Sequence, residues 1–133
     1  MNMLVDFGNT RLKWAIWASG RRSMGGVFAH ADTSLEAALG ANWRALKRPQ
    51  EILVASVVKP EQEQELAELV ESHFDQRARF VRSPAEGLGV TNAYRGDPAR
   101  LGVDRFLALA ALHADNPRAQ ILVSCGTALT LDA

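Results

Sequence analysis

Residues 52–58, Ile-Leu-Val-Ala-Ser-Val-Val, are apolar almost without a break. A strand with one wet face alternates in polarity, whereas a run of this kind is expected of a strand covered on both faces. It therefore predicts helices flanking a sheet. Residues 3–5 form a short apolar run ended by the turn-rich Asp6-Phe7-Gly8-Asn9-Thr10. Residues 12–17 alternate well enough for a second strand, so 3–18 predict a hairpin, and 25–30 predict a third antiparallel strand. A helix is expected over 34–46, capped by Thr33 or Ser34. A second helix opens at Pro60 and carries the stripe Leu66, Leu69, Val70 and Phe74.

Residues 79–81 predict a short strand. Residues 83–98, with two prolines and three glycines, predict a long functional loop. Residues 101–114 are helical in pattern and apolar almost all round after Asp104 and Arg105, which predicts a buried helix. Asn116-Pro117 stops it, and 121–123 predict another buried strand leading to Cys125-Gly126-Thr127 and then to 129–132. Three antiparallel strands followed by alternating helices and strands fit a mixed α/β sheet of the ribonuclease-H-like arrangement. Residues 4–10 and 122–127 also echo each other, each an apolar strand running into a glycine followed closely by threonine. The echo predicts one domain over 1–118 and the first strands of a second domain of the same type over 119–133, with the chain the first half of a two-domain protein.

Composition narrows the function classes. Fifteen Lys and Arg balance fifteen Asp and Glu, so the basic excess of a generalised nucleic-acid or anionic-membrane binder is missing. A lone cysteine, Cys125, excludes an internal disulfide and a cysteine metal cage, and is expected to be a small buried residue beside a turn. The first residues lack the basic region and apolar run of a signal peptide, and no stretch approaches the roughly 20 apolar residues of a membrane span, so a cytoplasmic location is expected. His30, His73 and His113 show no ligand spacing. Trp14, Trp17 and Trp43 are expected as core or interface anchors.

Three segments could carry chemistry. In the first, Gly8 lets the backbone approach a phosphate and Asn9 and Thr10 supply donors beside it. Asp6, at the mouth of the strand, could hold Mg²⁺ through water, and Lys13 could add positive charge. The plainer reading is a hairpin turn, which Gly and Asn favour for steric reasons alone. The second is Gly126-Thr127-Ala128-Leu129-Thr130, which could equally be a strand corner. In the third, 101–105 preceded by Asn92, Tyr94 and Pro98, Asp104 falls in the first turn of a helix, where the dipole favours its ionised form. Asp104 could also merely decorate that turn while Arg105 makes a surface pair.

Taken together, these residues resemble the type III pantothenate kinases. Asp6-Phe7-Gly8-Asn9-Thr10 resembles their first phosphate motif, Gly102-Val103-Asp104-Arg105 their substrate motif, and the segment from Ser124 to Asp132 their second phosphate motif, all in the family's order. The resemblance implies a two-domain, homodimeric, ATP- and Mg²⁺-dependent member of the acetate and sugar kinase/Hsp70/actin superfamily. Its reaction would phosphorylate pantothenate to 4′-phosphopantothenate, the first step of coenzyme A biosynthesis. It further implies ATP contacts from Asp6, Phe7, Gly8, Asn9, Thr10, Arg11, Leu12, Lys13 and Thr127, and pantothenate contacts from Tyr94, Gly102, Val103, Asp104 and Arg105. Asp104 would be the general base, and the planar guanidinium of Arg105 would grip the substrate carboxylate. Many members carry an aspartate where this chain has Ser124, which weakens the expectation of a bound potassium or ammonium ion there. The stretch from Tyr94 to Asp104 is also one residue longer than the family's usual pattern. The competing readings are a sugar kinase of the same superfamily and a regulatory or accessory protein without catalysis.

Overall fold

The computed structural model describes residues 1–30 and 33–133. They divide into two compact units, residues 1–81 and 82–133. In the first, β1 (Asn2–Phe7), β2 (Arg11–Ala18) and β3 (Arg21–Ala29) form an antiparallel meander. Beyond β1, β4 (Glu51–Ser56) and β5 (Arg79–Val81) add in parallel, so the mixed sheet runs β3-β2-β1-β4-β5. Parallel neighbours need long crossovers. Those into β4 and β5 contain α1 (Leu35–Trp43) and α2 (Pro60–Phe74) respectively.

The core follows from strand alternation. Met3, Val5 and Phe7 of β1, Leu12, Trp14 and Ile16 of β2, and Ile52 and Val54 of β4 point to one face. Against them pack Leu35, Leu39 and Trp43 of α1 and Leu66, Val70 and Phe74 of α2. The Ser34 hydroxyl caps α1 by accepting from the Ala37 amide, and Pro60 sits at the start of α2, where no amide donor is missed. Because both helices cover the same face, the other side of β4 is left half-buried at Leu53 and Ala55. The expectation of a strand fully covered on both faces is corrected accordingly.

β3 begins at Arg21, earlier than its apolar pattern indicates. Ser19 and Gly20 both take positive φ, forming the two-residue turn whose twist suits a hairpin. Further along, a Cβ on Gly25 would stand 2.4 Å from the Trp14 carbonyl oxygen, so only glycine lets the two strands close here.

In the second unit, the segment expected to be irregular contains a small hairpin, β6 (Glu86–Gly87) and β7 (Val90–Thr91). Then come α3 (Val103–Asp115) and a second hairpin, β8 (Leu122–Cys125) with β9 (Leu129–Asp132). Three expectations are corrected here. α3 buries only the stripe Val103, Phe106 and Ala110, and Leu107 is 40% exposed, because β7 and β8 meet one flank of the helix. The 121–123 segment is not a buried strand: Val123 is 54% exposed, since β8 and β9 form a two-stranded sheet among the described residues. Cys125 is exposed for the same reason.

Gly89, in the β6–β7 turn, has φ +80°, and a Cβ there would fall 2.5 Å from the His113 ring. Gly89→Ala should therefore destabilise the chain by about 1–2 kcal/mol from the left-handed backbone alone, with displacement of His113 adding to it. Urea denaturation checks this; an unchanged midpoint would mean that the turn is not built this way.

Candidate functional site

Polar groups gather in each unit. In the first, β1 alternates, so the residue between inward Val5 and Phe7 points to the opposite face; that residue is Asp6. Register sets Lys13 of β2 directly across from it, and the Lys13 ammonium donates to Asp6 Oδ2 at 3.0 Å. The side chains remain 45% (Asp6) and 56% (Lys13) exposed, so the pair contributes at most about 1 kcal/mol. Its two charges therefore stay open to a ligand at little cost to the fold.

The turn that follows is held from several sides. The Gly8 amide donates to the Arg11 carbonyl at 3.0 Å, and the Val57 amide to the Phe7 carbonyl at 3.1 Å. His30, at the end of β3, packs edge-on against Phe7 and donates from Nε2 to the Gly8 carbonyl at 2.8 Å. Asn9, Thr10 and Arg11 are exposed on this turn, whereas Phe7 and Leu12 are core side chains that can offer a ligand only their backbone. His30 was missed at the sequence level, because a histidine two strands downstream carries no spacing signal.

In the second unit the organising residue is Asn92, 1% exposed. Its Nδ2 donates to the carbonyls of Pro84 at 3.2 Å and Pro98 at 3.0 Å, while its Oδ1 accepts from the Tyr94 amide at 3.0 Å. The buried amide thus ties both ends of the loop and leaves Tyr94 half-exposed under the Arg100 guanidinium, 5.4 Å from the ring centroid. The Ser83 hydroxyl, also buried, donates to the Leu101 carbonyl at 2.7 Å and fixes the approach to α3.

α3 starts from Gly102, whose carbonyl accepts from the Arg105 and Phe106 amides. Asp104 stands exposed in the first turn and accepts from the Arg105 amide at 2.8 Å through Oδ1. Arg105 reaches Asp132 at the end of β9, donating from Nε to Oδ2 at 2.9 Å and from Nη2 to Oδ1. The hydrogen bond to Asp132 chiefly raises the guanidinium above its ordinary basicity, against the opposing effect of burial; the charges of Asp132, Tyr94 and Asp104 add to the rise. A raised arginine keeps its contribution at every pH below its usual ionisation, so on the arginine side the pair is lost only in strong alkali.

Tyr94, Asp104 and Arg105 are thereby brought together, and Asp132 joins them. It closes the segment from Ser124 to Asp132 that carries the family resemblance, which was the only signal for it in the sequence; strand pairing sets it opposite Leu122. Beside them is a cavity of about 380 Å³, lined by Asn92, Tyr94, Leu101, His113, Arg118 and Asp132 among others. Thr127 falls on the β8–β9 turn, where the Gly126 amide donates to the Ala128 carbonyl at 3.1 Å. A Cβ on Gly126 would meet nothing within 4 Å, so packing does not require glycine at this turn. Among the described residues, no three His, Cys, Asp or Glu are grouped to hold a metal ion.

These features define a mixed α/β protein with its polar groups on strand-end turns and at the first turn of a helix, positions from which such folds bind small ligands. The family model for type III pantothenate kinase matches residues 2–133. The chain belongs to the type III pantothenate kinase family. Relatives of that name include proteins from Laribacter hongkongensis, 40% identical over 99% of this chain and 52% of the relative, and Nitrosococcus oceani, 33% identical over 99% and 51%. Another, from Burkholderia thailandensis, is 36% identical over 98% of this chain and 49% of the relative. The chain spans about half the length of the curated relatives it matches.

Proposed function

We propose that this chain supplies the phosphate turn and the acceptor site of an ATP-dependent kinase that converts pantothenate to 4′-phosphopantothenate, the opening step of coenzyme A biosynthesis. The observation that carries this reading is the meeting of Asp104, Arg105 and Tyr94 at the start of α3, within a chain matched to the family over residues 2–133. Pantothenate has a carboxylate at one end and a primary hydroxyl at the other. A guanidinium suits the first, and an exposed carboxylate in a helix's first turn suits the second.

In this mechanism Arg105 binds the substrate carboxylate, with Tyr94 and residues 102–103 alongside. The pantothenate hydroxyl oxygen attacks the γ-phosphorus, the bond to the bridging oxygen breaks, and ADP leaves. Asp104 orients the hydroxyl and accepts its proton. The transition state of such transfers is loose, so alignment and neutralisation of phosphate charge contribute more than proton removal. Residues 6–13 and Thr127 act on the phosphates: turn amides and the Asn9 and Thr10 side chains donate, and Lys13 exchanges part of its Asp6 contact for them. The half-exposed Asp6 carboxylate fits Mg²⁺ held through water, which would supply charge neutralisation on the phosphates. Ser124 lacks the carboxylate that would favour a potassium or ammonium ion.

The same reading makes residues 1–118 a ribonuclease-H-like domain, supported by the order β3-β2-β1-β4-β5 with its antiparallel and parallel halves. Residues 119–133 then open a second domain of that type; β8 and β9 repeat the strand–glycine turn–strand pattern of β1 and β2. Homodimerisation is carried over from the family resemblance, and a cytoplasmic location from the sequence reading of the first residues. No helix among the described residues is long and apolar enough to cross a membrane.

The test is pantothenate-dependent ADP formation with ATP and Mg²⁺, run on this chain and on a form extended by the further half that the relatives carry. Turnover in the extended form is expected. Turnover with a sugar instead would move the assignment to a sugar kinase, and none with either would favour an accessory protein.

A further inference from the structure

We infer that Asp132 is a positioning residue for substrate recognition: it holds one edge of the Arg105 guanidinium so that the other edge meets the substrate carboxylate. The inference rests on the pantothenate reading above and adds a residue to it. A guanidinium has five N–H donors in one plane. Asp132 engages Nε and Nη2, the side edge of that plane. The end edge, formed by Nη1 and the second Nη2 proton, keeps the geometry for another bidentate carboxylate.

Burial is asymmetric in the sense this requires. The Asp132 side chain is 9% exposed and that of Arg105 31%, so the contact sits inside while the arginine still reaches outward. Asp132 also lines the cavity that Tyr94 lines, so the residue that holds Arg105 borders the same space as Tyr94. Unrestrained, a long arginine stem samples many rotamers and loses that freedom on each binding event. With the side edge already engaged, most of this loss occurs on folding. The hairpin does not need the carboxylate for its own pairing, since β8 and β9 are joined through their backbones.

The experiment compares pantothenate with its alcohol analogue, in which CH₂OH replaces the carboxylate, in the extended form described above and in its Asp132→Ala and Asp132→Asn variants. Asp132→Ala should raise KM for pantothenate about 10- to 100-fold with little change in kcat, and lower the preference for pantothenate over the alcohol about tenfold or more. Asp132→Asn, which retains one acceptor, should fall between Ala and the parent. Equal losses on both compounds would make Asp132 a purely structural residue and overturn the inference. A lowered KM for pantothenate in Asp132→Ala would overturn it too, by making Asp132 a competitor for Arg105. A parent protein that turns over neither compound would instead sink the kinase reading, and this assignment with it.

Discussion

Asp104→Asn in the extended form is expected to lower kcat for pantothenate phosphorylation by about 10²- to 10⁴-fold, the usual range for loss of a general base. KM should stay within about threefold, because a residue acting mainly in the transition state changes turnover rather than affinity. Asparagine keeps a side-chain oxygen to accept from the Arg105 amide, the contact that Asp104 Oδ1 makes at 2.8 Å, so the first turn of α3 should persist. What asparagine cannot do is take a proton. Steady-state kinetics varying pantothenate at saturating ATP decides the matter. If affinity collapses while turnover survives, Asp104 is a binding group and the base must be sought elsewhere.

The second large effect concerns stability. Asn92→Ala should cost the second unit about 3 kcal/mol, because the carbonyls of Pro84 and Pro98 and the amide of Tyr94 all lose a buried partner. Asn92→Asp should cost more at neutral pH. It turns an N–H₂ donor into a carboxylate oxygen facing two carbonyl oxygens, in a position now 1% exposed. Such a carboxyl has a folded-state pKa raised above its unfolded value, so the extra penalty grows as pH rises through that unfolded value. Below about pH 4 the group is protonated in both states and the excess over Asn92→Ala should vanish. Tryptophan fluorescence reads the wrong unit, since Trp14, Trp17 and Trp43 all belong to residues 1–81. Hydrogen exchange at the Tyr94 and Leu101 amides reads the right one. Full protection of both in Asn92→Asp at pH 7 would show that the amide does not organise this loop.

Legibility along the chain differed for identifiable reasons. The meander and the crossover helices were readable because alternation in residues 12–17 and the stripe Leu66, Leu69, Val70 and Phe74 are local patterns. Burial was read less well. The apolar run in β4 and the nearly all-apolar α3 both predict complete cover, yet Leu53 is half-buried and Leu107 exposed. Apolar composition states what a segment can bury; which flank is covered depends on where the neighbouring elements run. The β6–β7 hairpin was hidden because two-residue strands are too short to show a period.

The candidate site divides in the same way. Asp6, Gly8 and the Gly102–Arg105 segment stand out in the sequence because each is compact along the chain, and chemistry confined to a few adjacent residues survives as a motif. Strand pairing then decided that Lys13 faces Asp6, through a register of one residue against another. Tertiary structure alone decided that His30 holds the Gly8 carbonyl and that Asp132, 27 residues beyond Arg105, takes its guanidinium. The reason is geometric: secondary structure follows from local periodicity and steric preference, both written into neighbouring residues. A hydrogen bond between a helix and a distant strand depends on the packing of everything between them.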